Sequence, residues 1–326
     1  MKLFGKTRAG EDVHAITLSN GPLSVSILTY GAILQDVRLD GVPYSLTLGS
    51  DNFTDYLDKI PFHGSVAGPV VNRISTAQAE IDGNTHHFDK NLNGRHTLHG
   101  GSASVHNKVW QIDKYSQIDA TLSQKLPDGA GGFPGNRTAS AHFEITEAGL
   151  LSLTLTTQTD ASSIANLTNH SYWNLDGSDR FDGHQLQIPA DFYLPTTDEA
   201  IPTGEVATLA STSFDFREPR ALMRDAPPLD NTFCIANARG ALRRALSLSG
   251  QSGLTLDVHT TEPGIHLFDA RSAARPGRPN YEGIAIEAQS WPDAPNQPHF
   301  PSIAITPESP SIQTTTWQFS RSNPTG

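Results

Sequence analysis

"LLSLTLTTQT", residues 150–159, decides the fold class. Leu151, Leu153 and Leu155 stand at every second position, and Ser152, Thr154 and Thr156 fill the places between. A period of two is that of a strand, whose successive side chains point to opposite faces, and not that of a helix. The same alternation recurs outward in both directions. "GLTLDVHT", residues 253–260, sets Leu254, Leu256 and Val258 against Thr255, Asp257 and His259, and "LSVSIL", residues 23–28, aligns Leu23, Val25 and Ile27. In "AEIDGNTHHF", residues 79–88, Asp82-Gly83 is a hairpin turn signal between two short strand-like runs. The 27 glycines and 22 prolines are scattered through the chain and punctuate these runs before a helix can lengthen. Only "ARGALRRALSL", residues 238–248, has helical character. The pattern predicts an all-β protein, a large antiparallel β-sandwich or a distorted barrel.

A chain of 326 residues can bury a large core, and length alone suggests about two domains. Two Gly/Pro-rich loops, "LPDGAGGFPGN" (126–136) and "ARSAARPGRPNYEG" (270–283), look like linkers, but polar motifs lie on both sides of each. A single domain over 1–326 is the expectation. The net charge of −11, with 13 histidines taken as neutral, argues against an electrostatic grip on nucleic acid or an anionic membrane. It suits a neutral small-molecule ligand. The one cysteine, Cys234, excludes an intramolecular disulfide and any multi-cysteine metal site. "MKLFGKTRAGEDV" lacks the apolar run of a signal peptide, and no stretch approaches the roughly 18 apolar residues of a membrane span. The expected location is the cytoplasm.

Three polar constellations stand out. "NLTNHSYWNLDG", residues 166–177, gathers Asn166, Asn169, His170, Ser171, Tyr172, Trp173 and Asn174. A hydrophobic core has little use for so many polar atoms, since each needs a partner when buried. A sugar, with many hydroxyls and an apolar ring face, has use for all of them. His170 suits proton transfer near neutral pH, or it is a strand histidine bonded for structure. In "YEGIAIEAQSWPDAPN", residues 281–296, a strand would turn Ile284, Ile286 and Ala288 to the core and Ala285, Glu287 and Gln289 the other way. A buried carboxylate there is either ion-paired or a general base of raised pKa. Trp291 and Pro292 are placed to wall a pocket. In "HFDKNLNGRHTLHGG", residues 87–101, His96 and His99 have the spacing of a metal pair on a helix. The surrounding Gly94, Gly100 and Gly101 argue against a helix, and so against a metal. The two glycines after His99 would let backbone approach a ligand closely, while His99 itself reads equally as a structural or a binding residue.

Other side chains have two readings each. Asp215 in "SFDFREP" alternates with Phe214 and Phe216 like a strand end, with Arg217 as a structural partner. Asp230 in "PPLDNTFCI" opens an apolar run. Asn72 and Arg73 in "GPVVNRI" either clamp sugar hydroxyls or tie loops together.

Taken in order, "YGAILQDV", "GSVAGPVVNRI", "NLNGRHTLHGG", "NLTNHSYWNLDG", "SFDFREP", "LDNTF", "TEPGIHLF" and "IAIEAQSWPDAPNQPHFPS" resemble the aldose 1-epimerases, or galactose mutarotases. The resemblance runs along most of the chain. It implies a β-sandwich of the galactose mutarotase type with an open cleft on one sheet face. It also implies His170 as catalytic acid and Glu287 as catalytic base, acting across a hexose-sized gap. His99, Arg73 and Asp230 match sugar-contacting positions, with Asn72 their neighbour. The implied reaction interconverts the anomers of a free aldose such as galactose or glucose, with no cofactor. The chain departs from the family pattern at Pro69 (usually arginine), Trp173 (phenylalanine), Asn231 (histidine) and His266 (glutamine), which leaves sugar preference open. From their adjacency to His170 and Glu287, Trp173 or Trp291 would lie against an apolar sugar face, though Trp173 reads equally as a core residue. Two other functions compete: glycoside hydrolysis by Asp230 and Glu287, and a non-catalytic carbohydrate-binding module of the same fold.

Overall fold

The computed structural model describes residues 1–147 and 149–321. Leu150–Thr159 lies in a nine-stranded antiparallel sheet, paired with Arg137–Glu147 on one side and Ser311–Arg321 on the other. Beyond these the sheet continues through Asp119–Leu126 and Gln111–Tyr115 at one end, and through Leu254–Thr260, Arg243–Ser249, Gln185–Gln187 and Arg220–Ala221 at the other. The alternation read from the sequence is realised in the packing. Leu151, Leu153, Leu155, Leu254, Leu256 and Val258 are all buried in one core, while their threonine neighbours are partly exposed. Each such leucine contributes about 1.5–3 kcal/mol by leaving water.

Against the apolar face of this sheet packs a six-stranded sheet. Its order is Tyr172–Trp173, Ile284–Gln289, Gly264–Phe268, Asp230–Cys234, Phe192–Leu194 and Ala207–Thr208. Phe233, Ile265, Leu267, Ile284 and Ile286 join the same core as the leucines of the large sheet. The architecture is thus the expected sandwich. A four-stranded sheet, from Lys2–Lys6 to Ile33–Leu39, precedes it in the chain. Among the described residues the one α-helix, Phe53–Asp58, starts where the Asn52 side chain accepts the Thr54 N–H. Among the described residues, no helix is long and apolar enough to cross a membrane.

The hairpin at Asp82-Gly83 is present, joining Gln78–Ile81 to Asn84–His87 with both turn residues at positive φ. The helical expectation for residues 238–248 is overturned. Arg243–Ser249 is a strand paired on both sides, with Leu246 and Leu248 in the core. Tertiary pairing outweighs the helix propensity of its alanine, arginines and leucines. Asp215 is not a strand end either: it lies outside the strands, where Arg217 Nε and Nη2 grip it at 2.9 and 2.8 Å.

Candidate active site

Strand register assembles the site. On the six-stranded sheet Thr232 lies opposite His266, and His266 opposite Glu287. The next row on the same face runs Asp230, Phe268, Ala285 and Tyr172. Residues two apart share a face, so four strands present one surface toward the site while the residues alternating with them fill the core. Above this surface is a cavity of about 330 Å³. The six residues singled out above, Glu287, His170, Arg73, Asn72, His99 and Asp230, all line it.

His170 and Glu287 are 5% and 2% exposed. His170 Nε2 lies 3.4 Å from Glu287 Oε1. They are therefore side by side, and the expected hexose-sized gap between them is corrected to direct contact. His170 Nδ1 and Glu287 Oε2 are buried with no protein partner. The imidazole stacks between Phe62 (centroids 5.7 Å, planes 23° apart) and Tyr172 (5.2 Å, 29°). His63 stacks on the far face of the series, 4.1 Å from Tyr172. Two stacked neighbours restrain the plane of the imidazole, as proton transfer by a positioned group requires.

A charged clamp flanks the pair. Arg73 Nη2 donates to Asp230 Oδ2 at 3.2 Å and Nη1 to Asn72 Oδ1 at 3.2 Å, while Nε is buried without a protein partner. His266 joins Asp230 Oδ1 through Nε2 (3.0 Å) and Thr232 Oγ1 through Nδ1 (2.9 Å). Burial pushes the Asp230 carboxyl up, but His266 and Arg73 outweigh it and hold the group well below the usual carboxylate range. His99 Nδ1 accepts the Asn72 backbone N–H at 3.2 Å, and Asn72 O accepts the His99 N–H at 2.9 Å. Burial lowers the His99 pKa well below normal, with His170 and other positive neighbours adding to it. The ring is neutral, its Nδ1 is an acceptor, and we assign the proton to Nε2, which leaves a donor for a ligand.

Several sequence expectations need relocation. His96 belongs to the loop scaffold: its Nδ1 accepts the Thr76 N–H at 3.1 Å, and its Nε2 lies 3.4 Å from Glu199. The glycines after His99 approach protein and not a ligand, for a Cβ on Gly100 would sit 2.4 Å from Pro69 Cδ and one on Gly101 2.7 Å from Asp89 Cβ. Trp173 and Trp291 do not line the cavity. Trp173 follows Tyr172 directly, so it faces the other way, into the core beside Trp317 and Phe319. Trp291 packs on Phe300 and donates to Pro263 O. The apolar walls are instead Phe62, Tyr172 and Phe268. Of the four departures, only His266 lines the cavity. Sequence reasoning missed Phe62 and His63, which sit in "PFHG", a segment with no polar cluster to draw notice. A larger cavity, about 500 Å³, is lined in part by the segment 270–283. Its buried Glu282 is gripped by Arg275 and Arg278, and no histidine lines it, whereas the smaller cavity is lined by His170 and Glu287.

Comparison with known proteins identifies the family. The family model described as aldose 1-epimerase matches residues 14–315. The chain is 32% identical to a galactose mutarotase of Bos taurus, over 98% of this chain and 97% of that one. It is 30% identical to an aldose 1-epimerase of Escherichia coli (strain K12), over 90% of each. A crystal structure of a GalM/aldose epimerase homologue from C. elegans superposes with a TM-score of 0.87 at 27% identity, covering 95% of this chain and 100% of that one. One of a galactose 1-epimerase from Lactobacillus acidophilus gives 0.86 at 27%, covering 99% and 98%. With nearly the whole length matched and the fold shared, the chain belongs to the aldose 1-epimerase family.

Proposed function

We propose that the protein interconverts the α and β anomers of a free aldose such as galactose or glucose, with Glu287 as base and His170 as acid. The 3.4 Å contact between two buried side chains, one with an unpartnered Oε2, carries this assignment. A cyclic aldose bears its anomeric hydroxyl and its ring oxygen on the same carbon, C1. A base and an acid that serve both at once must therefore stand next to each other.

Glu287 takes the proton of the C1 hydroxyl while the C1–O5 bond breaks. Its electrons go to O5, which receives the proton from His170 Nε2, and C1 becomes an aldehyde. Rotation about C1–C2 turns the other carbonyl face to O5. His170 then removes the O5 proton as O5 attacks C1, and Glu287 returns its proton to the carbonyl oxygen. Both side chains finish as they began. Each positioned transfer supplies on the order of 10²–10⁴-fold. Arg73, His99 and Asp230, with Asn72 holding both Arg73 and His99, would bind the remaining hydroxyls and keep C1 in place during the rotation. The chain is proposed to act as one domain, in the cytoplasm, on a small-molecule sugar.

The competing functions fare worse on the same contacts. A hydrolase needs a second carboxyl free to act, and both Asp230 oxygens are engaged by Arg73 and His266. A passive binding module has no need for an adjoining buried acid–base pair. Polarimetry on freshly dissolved α-D-glucose and α-D-galactose tests the proposal. The protein should accelerate the approach to equilibrium, and Glu287→Gln and His170→Asn should each abolish the acceleration with the fold retained. A Glu287→Gln variant of normal rate overturns the choice of base.

A further inference from the structure

His63 lines the cavity, is 2% exposed, and stacks on Tyr172. The Ala273 backbone favours the protonated ring, so its carbonyl oxygen is the acceptor, and with Nε2 unpartnered the donor is Nδ1. Burial lowers the ring's pKa to about 3, helped by positive charge at His170 and Arg275. The neutral imidazole then has a bare lone pair on Nε2. That atom is buried with no protein partner. A buried acceptor left unmade costs about 1–3 kcal/mol, so a fold that needed only an aromatic wall here would do better with a hydrocarbon ring.

We infer that His63 is a specificity-determining residue, whose Nε2 accepts a hydrogen bond from one non-anomeric hydroxyl of the bound aldose. The assignment rests on the proposed sugar-binding role of the cavity and adds to it. The stack Phe62–His170–Tyr172–His63 spaces the two histidines by one aromatic ring. His170 is thereby kept for the reacting end of the sugar, and His63 meets the molecule further along. Because the ring is neutral, it accepts from a hydroxyl without attracting an anionic sugar.

The test is His63→Phe, which keeps the stacked ring and removes the acceptor. Mutarotation kcat/KM and sugar affinity by calorimetry are measured for a parent aldose and for its monodeoxy analogues, each lacking one hydroxyl. The variant should lose about tenfold, the worth of one ordinary hydrogen bond, on every sugar except the one analogue that lacks the contacted hydroxyl. That analogue should behave alike in both proteins. An equal loss on all sugars, or no loss, overturns the inference; His63→Leu carries the same test if phenylalanine does not fold. A wild type that binds sugars without accelerating mutarotation sinks the catalytic proposal alone, and the calorimetric panel still decides His63. A wild type that accelerates, with a variant that loses evenly, sinks His63 alone. A protein that binds no aldose sinks both.

Discussion

The buried neutral His63 ties stability to acid in a way that can be measured. Its folded pKa of about 3 lies below the ordinary histidine value of 6.5. As pH falls through 6.5, the unfolded chain takes up a proton that the folded chain refuses. Stability is therefore intact above 6.5 and falls as pH drops toward 3, by about 1.4 kcal/mol per pH unit. Between about pH 7.5 and pH 5 this one ring should remove about 2 kcal/mol. In His63→Phe that contribution is gone. Urea unfolding of both proteins at the two pH values gives four free energies. The variant should lose about 2 kcal/mol less than the wild type on acidification. Any packing cost of the substitution is present at both pH values and cancels. His99, lowered in the same direction, is common to both proteins and cancels too. An identical loss in the two proteins would mean that the ring accepts a proton in the folded state, and the neutral, buried histidine would have to be abandoned.

Two further outcomes follow from close packing. Gly100→Ala sets a Cβ 2.4 Å from Pro69 Cδ on a backbone at φ +84°. It should cost about 1–3 kcal/mol of stability and raise KM by moving His99, readable as a lower Tm together with weaker sugar binding. Trp173→Ala empties a fully buried site between the sheets and should cost about 3–5 kcal/mol. Because Trp173 does not touch the cavity, sugar affinity of the folded fraction should stay within about twofold, within the roughly 0.5 kcal/mol to which separate sites act independently. A large loss of affinity with little loss of stability would contradict its place in the core.

The fold was legible where a single physical constraint dominates. Leu151, Leu153 and Leu155 alternate because one face of their strand is wet and the other dry, and that contrast is written into the residues. Glu287 was legible by the opposite signal, a carboxylate among apolar strand residues. Trp173 was harder, since adjacency in sequence to His170 suggests adjacency in space. On a strand of period two, Tyr172 goes to the site and Trp173 to the core. Arg243–Ser249 misled because its arginines, alanine and leucines suit a helix, and only pairing with Gln185–Gln187 and Leu254–Thr260 makes it a strand. Phe62 and His63 were invisible for a related reason. Their roles arise from stacking against His170 and Tyr172, more than 100 positions later in the chain, and nothing local to "PFHG" announces it.

The cavity's floor and its rim have different origins. Glu287, His266 and Asp230 stand on hydrogen-bonded strands, whereas Phe62, His63 and Ala273 belong to connecting segments. Loops can lengthen, shorten or exchange residues without disturbing ladder register. Descendants of this chain can thus reshape the rim by editing the connections, while Glu287, anchored on its strand, is inherited unaltered.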